Sequence, residues 1–343
     1  MSKVAPFFLQ EQTVNRIARR LFVALLGVGL VFLRVPQVLA DIPATQPAAD
    51  NAPTTQPAKF IRFVDRGSAG GELDTADVAF TNDKGQTVHL VAAVHIGEHA
   101  YYENLAKNFE SNDAVLYELV MSKDSAPPAG NNAGEHATGF VSDLQLFLKR
   151  SLNLDYQLDV IDYTKPNFVH ADLDRETFEK MQADRGESLL SLMIQQALAA
   201  WNNPPAALNE DANQQADDLI KLMCRPDGER QFKLLIARQM DDLEAESAGL
   251  NGPNGSVILT ERNKAAFAVL GKVLAGNKKN IAIFFGAAHM PDMSQRLEAM
   301  GFKPTGTTWN MAWNMSVRPD QPSMAERLLR SFIDTSTTNP GNP

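Results

Sequence analysis

The stretch LVAAVHIGEHAYYENL, Leu90 to Leu105, decides the fold, because it runs from a continuous apolar segment through His95 into a helix-spaced pattern. A second stretch, IAIFFGAAHMPDMSQRL from Ile281 to Leu297, repeats the design and reaches a histidine at His289. Each stretch predicts a buried strand, a turn with small residues and a following helix. The sequence therefore predicts an α/β fold with a mixed, largely parallel central sheet flanked by helices.

The first forty residues have the pattern of an export signal. Three arginines precede an apolar run from Leu21 to Leu33, and Val38 and Ala40 supply small side chains for a signal peptidase. The run is short for a membrane span, which needs about 20 apolar residues. Residues 1–40 therefore predict a signal peptide and an exported protein of a bacterial periplasm or cell envelope. An uncleaved anchor is the alternative, and only then do we expect contact with a membrane.

Composition divides the remaining chain of this 343-residue protein into three parts. Residues 41–58 are rich in Pro, Ala and Thr and predict an extended linker. Residues 59–335 predict the folded domain, and helical periodicity with few strand patterns predicts a mainly helical insert at about 139–250. Residues 336–343 predict a disordered tail.

Charge and cysteine content restrict the functional classes. The formal net charge is −9, and no cluster of Lys and Arg indicates nucleic-acid binding. Cys224 is the single cysteine, so the chain cannot form an intrachain disulfide, and its apolar surroundings predict a small buried side chain. Neither feature defines the oligomeric state.

Polar side chains follow three of the predicted strands. His95 and His289 end the two apolar runs, and Glu118 lies within the apolar stretch AVLYELV, residues 114–120. Ligands bind at the carboxyl ends of strands in parallel sheets. Two imidazoles and a carboxylate at one edge could bind a divalent metal and leave positions for water or substrate. Each residue also has a structural alternative, a hydrogen-bonded histidine or a buried ion-pair partner.

These residues resemble the pattern of the TraB/PrgY/GumN family, which includes the TIKI metalloproteases and is related to the erythromycin esterase and ChaN-like superfamily. The resemblance covers about residues 60–315 and rests on Gly286-Ala287-Ala288-His289, on Glu118 in YELV and on Glu261-Arg262-Asn263 before the second histidine. The chain departs from the family pattern beside the predicted ligands, at Ala92, Ala93, Val120 and Asp292.

The resemblance implies a metal-dependent hydrolase, a peptidase of TIKI type. His95, His289 and Glu118 would bind a divalent metal of undefined identity, Glu118 would ligate or act as general base, and Arg262 would stabilise an oxyanion. The substrate would be a peptide or a small molecule. Two alternatives use the same cleft: a non-catalytic protein that binds a peptide, a signal or a haem-like ligand, and a metal-free esterase-like site with histidine as base.

Other polar residues have weaker patterns. His99 begins the helix after the first strand, and we expect it to be a solvated residue of the first turn. His170 is expected either to be a structural loop residue or to face the cleft. Asp172 predicts a helix cap with Glu176 in the first turn, and Asn263 either orients a site residue or lies on the helix surface.

Overall fold

The computed structural model describes one compact unit of the chain, formed by Pro57–Glu187 and Ile220–Pro343. The residues described are 59–130, 149, 152–186, 221–222, 224–247, 256–317, 323 and 325–326. The predicted signal peptide, linker and tail lie outside these residues, as does much of the predicted insert. Within this part of the chain, no helix combines the length and the apolar character that a membrane span requires.

A seven-stranded sheet forms the centre of this unit. The strands are β1 (Ile61–Asp65), β2 (Gly71–Thr81), β3 (Thr87–Ala93), β4 (Ile96–Gly97), β5 (Ala114–Tyr117), β6 (Asp155–Tyr156), β7 (Phe168–His170), β8 (Asn280–Gly286) and β9 (Lys303–Asn314). The sheet has the order β1-β2-β3-β8-β5-β7, and β9 also pairs with β2, whereas β4 and β6 pair separately. Strand β8 is parallel to both of its neighbours, β3 and β5, and β7 is parallel to β5. Strands β1, β3 and β9 are antiparallel to β2. The predicted mixed, largely parallel fold is confirmed.

Helices cover the sheet. They are α1 (His99–Phe109), α2 (Gln157–Val160), α3 (Arg175–Arg185), α4 (Gly228–Ser247), α5 (Arg262–Leu274) and α6 (Met290–Ala299). A π-helical turn, Val257–Glu261, precedes α5, and a 3-10 turn, Ala287–His289, joins β8 to α6. Pro291 lies in the first turn of α6, where its missing N–H costs nothing. The chain leaves α6 through Gly301, whose φ of 87° is a left-handed conformation that glycine adopts freely.

From Ile281 to Phe285 strand β8 is continuously apolar, and both of its faces are buried. Ile283 and Phe285 pack in one cluster with Leu297 of α6, and Phe284 packs on the opposite face with Leu105 of α1. All five side chains are at most 1% exposed. Because packing fixes both faces of β8, the carboxyl end of the strand has a defined position. The turn that follows, which carries His289, starts from that position.

The sequence missed one strand of the sheet. Residues 168–170 lie inside the stretch predicted as helical, yet they form β7 and extend the sheet beyond β5. Three residues are too few to produce a recognisable alternation of apolar and polar side chains. Helices α3 and α4 lie in the same stretch, in agreement with its periodicity. Cys224 is exposed, contrary to the prediction of a buried thiol.

Candidate functional site

The order of the strands brings three strand ends together. Strand β8 lies between β3 and β5, with Gly286 opposite Ala93 and with Phe284 opposite Tyr117. All three strands run in the same direction, so their carboxyl ends reach the same edge of the sheet. The residues that follow them, His95, Glu118 and His289, therefore start from neighbouring backbone positions.

Gly286 marks the point at which these three side chains meet. A Cβ atom built on Gly286 would lie 3.2 Å from Glu118 Oε2, 3.6 Å from His95 Nε2 and 3.8 Å from His289 Cδ2. Such distances are at or below ordinary van der Waals contact. The absence of a side chain at Gly286 thus leaves a gap that both imidazoles and the carboxylate face.

Glu118 is held by donors on both of its oxygens. Oε2 accepts a hydrogen bond of 2.6 Å from the backbone N–H of Gly286, and Oε1 accepts one of 2.7 Å from Arg262 Nη2. His289 Nε2 lies 3.4 Å from Oε1. Burial of the carboxyl raises its pKa, but His289, Arg262 and His95 together outweigh that effect and hold the pKa of Glu118 well below its usual range.

Arg262 binds two carboxylates at once. Its Nε donates to Asp172 Oδ1 at 2.9 Å and its Nη2 to Asp172 Oδ2 at 2.5 Å, while Nη2 also reaches Glu118. Burial lowers the pKa of Arg262, whereas Asp172 and Glu118 raise it above the ordinary value. Nη1 makes no hydrogen bond with any residue of the described ranges, so its two N–H groups are the donors left for a ligand.

Asp172 is a site residue that the sequence assigned to a different role. The predicted cap of α3 is wrong, since Asp174 caps the helix by accepting from the N–H of Thr177 at 2.8 Å. The Asp172 side chain is fully buried against Arg262, which lies 90 positions further along the chain. Both aspartates precede the same helix, and local pattern cannot tell which of them caps it.

His289 is oriented by Asn263, the second residue of α5. Asn263 Oδ1 lies 2.6 Å from His289 Nδ1, and Asn263 Nδ2 donates to the carbonyl of His289 at 3.2 Å. Asn263 is fully buried and His289 is 3% exposed. Of the two predictions for Asn263, the structure therefore supports the role of orienting a site residue.

The turn that carries His95 is fixed by its backbone. Its carbonyl accepts from the N–H of Gln157 at 3.1 Å, and the carbonyl of Ile96 accepts from Trp313 Nε1 at 2.8 Å. The His95 side chain itself is exposed. Next to this turn, Gln157 Nε2 donates to the hydroxyl of Tyr163 at 2.7 Å, and Gln157 Oε1 is buried without a partner in the described part of the chain.

Three further histidines lie in other surroundings. His99 is exposed in the first turn of α1 and pairs with Asp155 at 2.8 Å, as a solvated residue would. His170 Nε2 lies 2.6 Å from the carbonyl of Leu119, a structural contact next to Glu118 in the chain. His89 pairs with Asp77 on the neighbouring strand. None of the three supplies one of the three atoms nearest to a Cβ built on Gly286.

The donors at the gap suit a divalent cation in type and in charge. Imidazole nitrogen and carboxylate oxygen are ordinary ligands of such ions. Two carboxylates, Glu118 and Asp172, face the single guanidinium of Arg262, so one formal negative charge remains beside two imidazoles. Across the residues described, however, the side chains of His, Cys, Asp and Glu form no group of three or more that could hold a metal ion as they stand.

The comparisons with known proteins add no assignment: no model of a protein family, no curated protein and no solved structure matches this chain. The resemblance to the TraB/PrgY/GumN pattern rests on the motifs alone.

Proposed function

We propose that the chain is an exported metal-dependent hydrolase of the TraB/TIKI type that acts on peptide bonds. The observation that carries this proposal is the convergence of His95, Glu118 and His289 on the gap at Gly286. This edge of a parallel sheet is where ligands bind in such folds. The residual negative charge of the Glu118–Arg262–Asp172 group supports a cation as one of those ligands.

His95, His289 and Glu118 would hold the divalent ion, which would supply an acidified water and polarise a carbonyl. Glu118 is kept ionised by its neighbours, the state in which a carboxylate binds a cation. Asn263 fixes the ring of His289 through Nδ1, which leaves Nε2 on the side of Glu118, 3.4 Å from its Oε1. Nη1 of Arg262, which has no hydrogen-bond partner among the described residues, would be a fixed donor to the oxygen of a tetrahedral intermediate.

Metal analysis of the purified protein tests this function first. The full chain is incubated with Zn²⁺, Mn²⁺ or Co²⁺, freed of excess metal and analysed for bound ion. We expect about one equivalent of one of these ions, and its loss in His289→Ala. The matched control is His89→Ala, which removes a histidine that pairs with Asp77 and lies outside the gap.

Peptide hydrolysis is then measured on a mixture of unstructured peptides by mass spectrometry, with and without the retained metal. Cleavage that requires the metal and disappears in His95→Ala supports the peptidase. Metal-dependent cleavage that persists in His95→Ala and His289→Ala contradicts the assignment of the site.

A non-catalytic binding protein is the second candidate, and the pairing of Glu118 favours it. Both carboxylate oxygens already accept hydrogen bonds, from Arg262 and from the N–H of Gly286. A site whose carboxylate is fully paired can hold a ligand without performing chemistry. A protein that binds peptides saturably but cleaves none, with or without metal, would support this candidate over the hydrolase.

Export rests on the N-terminal pattern, which lies outside the described residues. The test is N-terminal sequencing of the mature protein, which we expect to begin at Asp41. A full-length chain retained in the membrane would support the anchor.

A further inference from the structure

Asn263 links the imidazole ring of His289 to the carboxylate of Asp292. Asn263 Nδ2 donates to Asp292 Oδ2 at 2.7 Å, and its Oδ1 faces His289 Nδ1 at 2.6 Å. Asp292 lies one turn beyond His289, in the first turn of α6, and also pairs with Arg296 at 2.7 Å. The chain of contacts therefore runs from Asp292 through a buried amide to the imidazole.

Only one orientation of the Asn263 amide satisfies these contacts. A carboxylate and a backbone carbonyl only accept hydrogen bonds, so the group that faces both Asp292 and the carbonyl of His289 must be the NH₂. The amide oxygen is then turned toward His289 Nδ1. An oxygen at 2.6 Å requires a proton on that nitrogen.

We propose that Asp292 is a positioning residue that, through Asn263, keeps a proton on Nδ1 of His289 and confines proton exchange and ligand binding to Nε2. The charged contact to Asp292 is the shorter of the two that orient the amide, 2.7 Å against 3.2 Å for the carbonyl of His289. Nε2 is the nitrogen that lies 3.4 Å from Glu118 Oε1. The catalytic consequence rests on the proposed function, whereas the position of the proton does not.

Nitrogen NMR of the imidazole rings tests this proposal without any substrate. The full chain is labelled with ¹⁵N-histidine, treated with a chelator and recorded at rising pH until the ring signals no longer change. The signals of His289 are identified by their loss in His289→Gln. We expect Nδ1 to be protonated and Nε2 to be bare. A wild-type spectrum with the proton mainly on Nε2 would overturn the proposal.

Three variants separate Asp292 from its surroundings. Asp292→Leu removes the acceptor, and both ring nitrogens should shift toward the average of the two tautomers. Asp292→Asn keeps one acceptor oxygen and should restore the wild-type signals. Arg296→Met removes the ion pair of Asp292 but not its contact with Asn263 and should change nothing. Unchanged signals in Asp292→Leu would mean that Asp292 does not position the ring.

Activity provides an independent second readout. Residues that orient a metal-binding histidine change metal affinity or turnover by about 10–100-fold. We therefore expect Asp292→Leu to lower Zn²⁺ affinity or kcat within that range, with KM little changed. A chain that shows the expected tautomer but no hydrolysis would refute the proposed function and leave this inference standing, and hydrolysis with the opposite tautomer would do the reverse.

Discussion

Replacing Gly286 with alanine should disable the site while leaving the fold nearly unchanged. The backbone of Gly286 has φ −55° and ψ 142°, which alanine adopts without strain. The new methyl group would enter the gap 3.2 Å from Glu118 Oε2 and 3.6 Å from His95 Nε2. The carboxylate must then move by a few tenths of an ångström, and its 2.6 Å hydrogen bond to the N–H of residue 286 must lengthen.

The change in stability should be small because opposing contributions have similar size. Gly→Ala at a compatible position stabilises by about 0.4–1 kcal/mol through the unfolded chain. Crowding of a packed site costs about 1–3 kcal/mol. The difference between these ranges limits the fall in the free energy of unfolding to about 2.6 kcal/mol. Turnover is more sensitive, since a displacement of ~1 Å at a reacting group can cost about 10²-fold, and Zn²⁺ affinity should fall at least tenfold.

Urea unfolding, Zn²⁺ titration calorimetry and peptide hydrolysis measure these three quantities on the same preparations. Gly271→Ala is the matched control, because Gly271 is an exposed residue of α5 and the new Cβ would meet nothing within 4 Å beyond its own turn of the helix. It should gain up to about 1 kcal/mol from helix propensity and leave the site unaffected. If Gly286→Ala retains wild-type Zn²⁺ affinity and turnover, the three side chains do not share a functional gap. A loss of stability well above 3 kcal/mol would show that Gly286 is part of the core.

Arg262→Lys should lower kcat by about 10²–10³-fold, because lysine cannot bind Asp172 with two parallel hydrogen bonds and has no atom equivalent to Nη1. An unaltered kcat would show that Arg262 has no role in the mechanism. The depressed pKa of Glu118 stabilises the fold above its unfolded value of 4.5, and this contribution is lost as pH falls through the folded pKa. Glu118→Gln should therefore show a shallower loss of stability between pH 7 and pH 3 in urea unfolding. The contribution of His89 to stability depends on pH in the opposite direction. Its hydrogen bond to Asp77 raises the pKa of His89, although burial opposes the rise. The stabilisation from this pair is therefore complete below pH 6.5, the ordinary pKa of histidine, and is lost as the pH rises. His89→Gln should flatten the decline of stability on the alkaline side, and an unchanged slope would contradict this assignment.

The parts of the site that the sequence predicted are those with a local signal. An apolar run that stops at a histidine marks a strand end, and this pattern occurs at both His95 and His289. Burial of both faces of β8 explains why its run is continuous rather than alternating. The expectation that the strand ends share one edge agrees with the position of β8 between β3 and β5.

The parts that were missed depend on contacts between distant residues. The Asp172 carboxylate lies beside Arg262 only after β7 has joined the sheet next to β5, and no local rule connects positions 90 residues apart. A general principle could have indicated such a partner: a buried arginine needs carboxylates, and Glu118 alone leaves most of its donors unused. Strand β7 itself was too short to be recognised.

Glu118 decides between the three functions considered for this edge of the sheet, because each demands a different state of its carboxylate. A metal-dependent hydrolase needs Glu118 Oε1 to leave Arg262 and bind the cation instead. A metal-free site with His289 as base needs Nε2 open to the substrate, so Glu118 Oε1, which now lies 3.4 Å from Nε2, has to stay clear of that nitrogen. A binding protein needs the carboxylate to stay paired with Arg262 and the N–H of Gly286, as it is in this structure. Asp172 matters for all three functions. Its buried carboxylate accepts two hydrogen bonds from the guanidinium of Arg262, and these do not depend on the position of Glu118. Arg262 can therefore release Glu118 without becoming an unpaired buried charge, and the proposed cation-binding state would depend on that property.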